Sequence, residues 1–482
     1  MNSIEEIAML TAVDVIRLIE DRVLDHKDVV IAHQERVVQM NPSVNAFDSF
    51  VEAPMVQRAG PLMGLPVTVK DQIGVEGLSR HFGLDTAVEA RCESTSVPIG
   101  RLIDAGANIA GKTTLPPFAM DFQTYNARKG WTNNPWHLDY TVGGSSGGGA
   151  AAVACGMSYL DIGADLAGSL RIPASFCGVY SLLPSENALE SDGMLKDGGS
   201  LAHFARMGPL ARSVDDLMLA WEHLSGTTPN ADEATVPQIG IWEPAQGERI
   251  ADDITSAFTQ ATIRLKKHAF ETGSADTAAI LTPEAYACYG EIMGYETGAL
   301  VPVLLRYIGR IFGRSAAKRS PNFLANVHSG QRCNKNAFHK ALNSRSRIEK
   351  DFNVALGEHE AWLVPVTRTT AFKHIAPNSD RNGVRNYSHN FVFSNGEVNY
   401  LDAMTDFLTP FSLVGAPVVT LPVGFDRRGL PIGAQLIGRR GEDWALLKLA
   451  KRVASALAIG GFEGEPLNAA DPQTGECAQH LV

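Results

Sequence analysis

The sequence has few of the residues on which metal centres and disulfide frameworks depend. It holds 6 cysteines in 482 residues without a CxxC pair, and its 13 histidines are scattered without an HExxH motif. We therefore expect no metal and no cofactor. The cysteines are interpreted as small hydrophobic residues of a reduced, cytoplasmic protein.

Positive charge and long apolar runs are also scarce. The 42 Lys and Arg residues are outnumbered by 53 Asp and Glu residues, which gives a net charge of -11. Because phosphate backbones are bound by clustered Lys and Arg, we expect no nucleic-acid partner. The longest apolar runs are too short for a spanning helix, and the first residues, MNSIEEIAML, are acidic where a signal peptide is basic. We therefore expect no membrane partner.

The apolar residues that are present predict alternating helices and strands. Residues 11–40 have apolar side chains at helical spacing and are predicted to form two helices with a break near Leu24. The other predicted helices are 98–106, 149–155 and 442–458, and the predicted strands are 67–69, 107–110, 159–162, 238–242, 361–366, 416–424 and 431–437. This alternation predicts an α/β protein. We interpret residues 1–482 as one large domain, with a helical arm at 1–60, a core at 61–220 and the remainder at 221–482.

Residues 106–113, GANIAGKT, match the Walker A pattern of nucleotide-binding loops. Such a loop needs a strand before it and a helix after it. Here the spacer residues ANIA are predicted to form a strand, and Pro116 and Pro117 disfavour a helix. We interpret the segment as a strand that ends in a turn at Gly111 and Lys112.

Residues 143–148, GGSSGG, contain the GxSxG pattern of a nucleophile elbow. In a Ser-His-Asp esterase, Ser145 or Ser146 would be the nucleophile, and His374 or His389 the base. However, an elbow follows a strand, and the preceding residues, DYTV at 139–142, are a poor strand. A flexible glycine-rich loop is the simpler interpretation, with the esterase as an alternative.

A third pattern uses far more of the chain. It combines GLPVTVKD at 64–71, GGSSGG at 143–148 and ADLAGSLRIP at 164–173. With these segments, and with residues 106–113, 134–136, 173–184, 208–213 and 415–438, the chain resembles the amidase signature family. The likeness is weakest over residues 224–360. It implies an α/β fold in which a mixed central β-sheet is covered by helices on both faces.

The resemblance implies a Ser-Ser-Lys catalytic triad. Ser169 would be the nucleophile, Ser145 the hydroxyl that relays its proton, and Lys70 the general base. A serine hydroxyl is a weak nucleophile without a base, and a lysine accepts a proton only when its pKa is lowered, as by burial. Lys70 ends a predicted apolar strand, which suits such burial. The family also implies a cis peptide bond before Ser145.

Around the triad, the resemblance implies supporting groups. The backbone N–H groups expected to form an oxyanion hole are those of Leu166, Ala167, Gly168 and Ser169. Ser146 is expected to support the contact between Lys70 and Ser145. Asp165 and Arg171 are expected to form an ion pair that braces the turn, the alternative being an exposed pair of little energetic worth.

The substrate pocket is implied at FAMDF, residues 118–122, with Ala119, Met120 and Asp121 as substrate-binding residues. Two interpretations of Asp121 remain: it recognises a cationic or hydrogen-bond-donating group, or it is a solvated loop residue. Residues 296–314 are predicted to form a helix near the pocket mouth. Its arginines share one face and are interpreted as solvated, namely Arg306, Arg310 and Arg314.

Three positions depart from the pattern of the family. Ala164 stands where threonine is usual, Ala167 where glycine is usual, and Asp161 where a small residue is common. Alanine at position 167 still supplies an N–H group. We expect these changes to affect rate and substrate range more than the presence of activity.

The favoured function is hydrolysis of a carboxylic amide of a small or medium organic substrate through an acyl-enzyme on Ser169. The alternative within the family is a glutamine-hydrolysing A-type subunit of a tRNA-dependent amidotransferase. The segment ENAL at 186–189 is unlike the arginine- and glycine-containing stretch of those subunits. A non-catalytic relative is disfavoured because all three triad positions are intact. The expected partner is a small-molecule amide. A homodimer is consistent with the resemblance but is not readable from the residues.

Overall fold

In the computed structural model the chain folds as an α/β protein around one large sheet. The structure describes residues 4–51, 58–195, 201–229, 236–300, 318–377 and 387–462. The strands are β1 Phe47–Phe50, β2 Pro66–Lys70, β3 Asn108–Thr113, β4 Tyr125–Asn126, β5 Gly130–Trp131, β6 Asn133–Asn134, β7 His137–Thr141, β8 Leu160–Asp165, β9 Tyr180–Leu183, β10 Arg206–Ala211, β11 Gln238–Ile241, β12 Glu271–Ser274, β13 Ala361–Pro365, β14 Asn390–Phe393, β15 Gly396–Asn399, β16 Val418–Phe425 and β17 Pro431–Ile437. The helices are α1 Ile4–Met9, α2 Ala12–Glu20, α3 His26–Val44, α4 Val97–Asp104, α5 Gly147–Ala154, α6 Arg171–Cys177, α7 Val214–Ser225, α8 Asp252–Lys267, α9 Pro283–Leu300, α10 Leu324–Gly330, α11 Lys335–Leu356, α12 Tyr400–Thr405, α13 Thr409–Leu413 and α14 Asp443–Leu457.

The central sheet has the strand order β1-β3-β2-β8-β10-β9-β16-β17-β13-β11-β12. The strands β3, β2 and β8 are parallel to one another, as are β13, β11 and β12. The pairs from β8 through β13 in the middle of the sheet are antiparallel. Helices including α5, α6, α7, α8 and α14 pack against it. The predicted mixed sheet covered by helices on both faces is confirmed.

The helical arm predicted for residues 1–60 also contributes a strand. Its helices α2 and α3 are separated near Leu24, as predicted, and Asp25 is the N-cap of α3 in a capping box. After α3, however, β1 pairs antiparallel with β3 at the edge of the sheet. This close pairing depends on Gly111, where an added Cβ would lie 2.5 Å from the Ser49 carbonyl oxygen.

Strand β3 runs through the segment that resembles a Walker A loop. The predicted strand is confirmed, but the turn predicted at Gly111 and Lys112 is wrong, because both residues pair with β1 on one side and β2 on the other. The Lys112 side chain is fully buried and donates a hydrogen bond to the carbonyl oxygen of Ile73. Backbone N–H groups of a strand with two neighbours serve the sheet and do not surround a phosphate.

The three segments of the third sequence pattern meet at one edge of the sheet. Parallel strands β2 and β8 are neighbours, so that their carboxyl ends, Lys70 and Asp165, lie at the same edge. Helix α5, GGGAAAVA, is entirely buried and packs against both strands and β10. Its small side chains allow the close approach of helix and sheet, and the GGSS loop before it is thereby held beside Lys70.

The arginines predicted on one helix face, Arg306, Arg310 and Arg314, lie outside the described residues. Helix α9 is described as far as Leu300. Within the described part of the chain, no helix combines the length and the apolar character needed to cross a bilayer.

Candidate active site

Lys70 is fully buried at the end of β2 and contacts both adjacent serines. Its Nζ donates to Ser145 Oγ at 2.8 Å and to Ser146 Oγ at 2.9 Å. Burial lowers the pKa of Lys70 to about 7, while the negative charges of Asp165 and Asp161 act in the opposite direction. An amine with such a pKa is partly uncharged at neutral pH and is able to accept a proton.

The serine loop is a tight turn between β7 and α5. The peptide bond between Gly144 and Ser145 is cis, as the resemblance implies. A Cβ added at Gly144 would lie 2.7 Å from the carbonyl oxygen of Asp121, so that this glycine lets the loop of residues 118–122 approach the serines. The N–H of Ser146 donates to the Ser169 carbonyl oxygen at 3.0 Å. The structure thus brings the predicted pocket loop and both serine segments together.

Ser169 lies in the turn that follows β8 and is 8% exposed, whereas Ser145 and Lys70 are fully buried. Among the described residues, no hydrogen bond joins the hydroxyls of Ser145 and Ser169. The two segments are held instead by the backbone bond from Ser146 to Ser169. Ser169 is therefore the member of the predicted triad that solvent reaches.

Asp165 and Arg171 form a buried ion pair. Their side chains are 1% and 0% exposed, and Arg171 Nη2 lies 3.1 Å from Asp165 Oδ1. Burial alone raises the pKa of Asp165, but the Arg171 guanidinium and backbone N–H donors outweigh it and lower the pKa to about 2. The interpretation of this pair as an exposed one is wrong.

Arg171 also ties the turn to the distant end of the chain. Its guanidinium donates to the Leu408 carbonyl oxygen at 3.2 Å, to Gln435 Oε1 at 3.3 Å and to Ser412 Oγ at 2.7 Å. These partners lie next to α13, on β17 and within α13, respectively. Arg171 thus fixes the turn that carries Ser169 against elements more than two hundred residues away.

The N–H groups predicted for an oxyanion hole differ in their availability. The N–H of Gly168 donates to Asp165 Oδ1 at 2.7 Å, which disagrees with its predicted role as a free donor. The N–H groups of Leu166, Ala167 and Ser169 have no hydrogen-bond acceptor among the described residues. These three N–H groups are therefore not engaged by a protein acceptor in the described part of the chain.

The pocket loop has an unusual backbone and is attached to later parts of the chain. Both Phe118 and Ala119 have a φ of 56°, a conformation that residues other than glycine rarely adopt. Met120 is 62% exposed. Asp121 Oδ1 accepts a hydrogen bond of 2.8 Å from the Tyr400 hydroxyl. Asp121 is therefore half-buried and held in place, and it is not a simply solvated residue.

Asp161, which the sequence analysis identified only as a departure from the family pattern, forms a buried polar group with residues of β2 and β3. Asp161 is fully buried on β8, and its Oδ1 accepts hydrogen bonds from Thr68 Oγ1 at 2.8 Å and Thr113 Oγ1 at 3.0 Å. A Cβ added at Gly149 on α5 would lie 2.0 Å from Asp161 Oδ2. Glycine at one position thus makes room for the carboxylate at the other. The unusual aspartate at position 161 was the one sequence signal of this buried group, although no local pattern links Asp161 to Gly149.

We expect Gly149→Ala to lower the free energy of unfolding. Overpacking of a core costs about 1–3 kcal/mol, which exceeds the gain of about 1 kcal/mol from alanine in a helix. Urea unfolding measures the change. Gly100→Ala in α4 is the matched control, because its added Cβ meets no atom within 4 Å, and it is expected to stabilise the protein. The steric argument fails if Gly149→Ala is as stable as Gly100→Ala.

The histidines proposed for an esterase do not contact the serine loop. His374 Nε2 lies 3.0 Å from Asn133 Oδ1, its ring stacks on Trp131, and burial lowers its pKa to about 4. His389 contacts Phe391 edge-on. The hydroxyls of the loop are instead bonded to Lys70, and that of Ser146 also to a backbone carbonyl. The geometry does not support the esterase alternative.

The interpretation of residues 139–142 as a poor strand is wrong in part, because β7 includes three of them. This strand pairs with β6 outside the central sheet and forms a bridge from Tyr140 to Lys373. Neighbouring partners thus impose an extended backbone that the residues alone do not indicate. An elbow on the central sheet is still not formed.

A buried lysine in contact with two serines, on a large mixed α/β sheet, is an arrangement suited to a hydrolase. The amidase family model matches residues 48–447. The chain therefore belongs to the amidase signature family, whose members hydrolyse amide C–N bonds, and is itself an amide hydrolase.

Individual relatives and solved structures are similar over nearly the whole chain. The chain is 29% identical to the A subunit of glutamyl-tRNA(Gln) amidotransferase of Synechococcus sp. (strain CC9605), over 90% of this chain and 93% of that protein. A crystal structure of an amidase matches with a TM-score of 0.76 and 25% identity, over 92% of this chain and 99% of the other. The structure of the same amidotransferase subunit from Thermotoga maritima matches with a TM-score of 0.73 and 25% identity, over 93% and 95%.

Proposed function

We propose that this enzyme hydrolyses a carboxylic amide of a small or medium organic substrate through an acyl-enzyme on Ser169. The observation that carries the proposal is the buried Lys70 amine, 2.8 Å from the hydroxyl of Ser145. Because the pKa of Lys70 is lowered to about 7, a large fraction of this amine is uncharged at neutral pH, and the uncharged form is the one that accepts a proton. Ser169 supplies the reacting oxygen because it is the solvent-reached serine at the site.

In the proposed reaction, the Ser169 hydroxyl attacks the substrate carbonyl carbon and passes its proton to Ser145 as the new C–O bond forms. Ser145 gives its own proton to the neutral Lys70 amine. A hydroxyl performs this relay because it both donates and accepts a hydrogen bond. The contact between the two serines forms in the substrate complex, since catalytic hydrogen bonds commonly tighten there.

The negative oxygen of the tetrahedral intermediate is stabilised by backbone N–H groups. We assign this role to Leu166, Ala167 and Ser169, whose N–H groups are open, and not to Gly168. The ion pair of Asp165 and Arg171 holds the turn in this conformation. Collapse of the intermediate breaks the C–N bond while the proton returns from Lys70 through Ser145 to the departing amine. Water then hydrolyses the ester on Ser169 by the same relay.

The pocket loop is proposed to contact the acyl group of the substrate. Ala119, Met120 and Asp121 lie in the segment that packs against Gly144, one residue before Ser145. Since Asp121 Oδ1 already accepts from Tyr400, this pair presents a fixed polar group within an otherwise apolar loop. The loop thereby suits an acyl group that is mainly apolar with one polar substituent.

The test is covalent labelling with a fluorophosphonate probe, followed by peptide mapping. We expect the adduct on Ser169 and no labelling of Ser169→Ala. The labelling rate should rise with pH through about 7, because below this pKa Lys70 holds its proton and is unable to act as base. An adduct on Ser145 or Ser146 would contradict the proposal, as would a rate that is independent of pH near 7.

The second candidate is the A-type amidotransferase subunit, which the names of the relatives favour. The two functions separate in an assay of ammonia release. A stand-alone amidase cleaves simple amides such as acetamide or benzamide as the purified chain. An amidotransferase subunit would turn over glutamine, and only with a co-purified partner.

A further inference from the structure

Asp161 lies on the same face of the sheet as Lys70. In the parallel pair of β2 and β8, Thr68 is opposite Asp161. Side chains alternate between the faces of a strand, so that Thr68 and Lys70 share one face with Asp161 and Asp165. Asp161 thus lies four residues before the carboxyl end of β8, on the face of the sheet that carries the Lys70 side chain.

Only one of the two carboxyl oxygens of Asp161 has a hydrogen-bond partner among the described residues. Its Oδ1 accepts from Thr68 and Thr113, whereas Oδ2 has no hydrogen-bond partner among the described residues. Helix α5 covers this oxygen with Gly149, and the sequence of α5, GGGAAAVA, has no charged or titratable side chain. A buried carboxyl oxygen without a donor is costly when ionised, and it is suited to a group that gains and loses a proton.

The other charges that act on Asp161 are few. Lys70 is on the same face of β2, Asp165 is on the same face of β8, and Arg206 on β10 is opposite Asp165. Lys112 on β3 is opposite Val69, and so lies on the other face of the sheet. Burial raises the pKa of Asp161 to about 7, while Thr68, Thr113, Lys70 and Lys112 act in the lowering direction. Burial thus moves the pKa of Asp161 upward and the pKa of Lys70 downward, so that the two values approach each other.

We propose that Asp161 is a positioning residue of the amide-hydrolysing site, whose charge sets the pH at which Lys70 is able to take a proton from Ser145. The inference rests on the proposed function. When Asp161 is ionised, it attracts the Lys70 ammonium group and holds the proton on the lysine. When Asp161 is neutral, the buried lysine releases its proton at lower pH. Removing the carboxylate charge should therefore extend activity toward acid.

The experiment compares Asp161→Asn with the wild-type chain in the rate of fluorophosphonate labelling of Ser169 between about pH 5 and pH 9. We expect the midpoint of the acid limb to fall by about one pH unit, the size of shift caused by one neighbouring charge. At about pH 6, the labelling rate as a fraction of its plateau should rise about fivefold. A folded variant with the wild-type midpoint overturns the proposal.

Asp216→Asn is the matched control. Asp216 is also fully buried with an unpartnered Oδ2, and burial raises its pKa to about 6, but it lies on α7, where its Oδ1 accepts from the backbone N–H of Val13. We expect no change of the midpoint in this variant. An equal shift in both variants would show that any buried Asp→Asn change has this effect, and would overturn a specific role for Asp161.

A second charge-removing variant keeps the proposal testable if Asp161→Asn does not fold. The double change Gly149→Ala with Asp161→Ala removes the same charge and places a methyl group where the carboxylate stood. It should shift the midpoint in the same direction. If neither charge-removing variant folds, Asp161 is a structural residue and the proposal is wrong. Lys70→Met distinguishes failure of the proposed function from failure of this inference. If Lys70→Met retains wild-type labelling, the proposed function is wrong. If Lys70→Met is inactive but the midpoint of Asp161→Asn is unshifted, only this inference is wrong.

Discussion

Lys70→Met is expected to lower amide turnover and fluorophosphonate labelling at neutral pH by at least about a thousandfold. Positioned general bases contribute about 10²–10⁴-fold, and a triad loses most of its effect when one member is removed. Methionine keeps the length and apolar stem of the side chain, but it is unable to accept the proton that Ser145 passes on in the proposed relay. The loss should therefore appear in kcat, with the fold retained, and it is measured by single-turnover labelling and by circular dichroism.

Lys112→Met is the control for this prediction. Lys112 is likewise fully buried, and burial lowers its pKa to about 8, but its amine is bonded to the Ile73 carbonyl oxygen on the other face of the sheet. We expect a lower stability with a plateau labelling rate near that of the wild type. Turnover that survives Lys70→Met at neutral pH would contradict the triad.

Arg171→Met is expected to lower the free energy of unfolding by about 3–5 kcal/mol, because it leaves the Asp165 carboxylate buried without its counter-charge. The double variant Asp165→Asn with Arg171→Met should recover part of this loss. Recovery is incomplete, since Arg171 also donates to Ser412 and Gln435. Urea unfolding of the single and double variants measures these differences as a double-mutant cycle.

The ion pair of Asp165 and Arg171 is also expected to make the stability of the fold depend on pH. The folded pKa of Asp165, about 2, lies below the value of about 3.9 in an unfolded chain. The contribution of Asp165 to the free energy of unfolding is therefore present above about pH 4 and is lost as the pH falls toward about 2. In Asp165→Asn the loss of stability at acid pH should be smaller.

Arg347→Met is the control for Arg171→Met, because the Arg347 and Glu284 side chains are 58% and 55% exposed and such pairs contribute less than about 1 kcal/mol. Equal losses in Arg171→Met and Arg347→Met would refute the buried-pair account.

The elements that the sequence predicted well are those whose own residues determine them. Strand β17, predicted at 431–437, has those bounds because it is an apolar run between turn residues. Helix α14, predicted at 442–458, follows its helical apolar spacing. The errors lie where partners distant in sequence decide the backbone. Gly111 and Lys112 resemble a turn locally but are paired on both sides, and β7 is extended by contacts with β6.

The meeting of the three motif segments was predictable from the sequence, whereas the hydrogen bonds between them were not. The segments around Lys70, Ser145 and Ser169 meet as the motif implied. Which N–H groups have a protein acceptor was not predictable, because the bond from Gly168 to Asp165 depends on the three-dimensional course of the turn. The space that Gly149 leaves for Asp161 is likewise a three-dimensional fit between a helix and a strand.

The parallel register of β2 and β8 has a consequence for how such a chain tolerates insertions and deletions. Loss of one residue within β2 would rotate every later side chain of that strand to the opposite face, and would present a different side chain to the serines in place of the amine. Changes of length in the connections between strands carry no such penalty. Natural or engineered variation in chain length should therefore accumulate between the strands, while the number of residues inside β2 stays fixed.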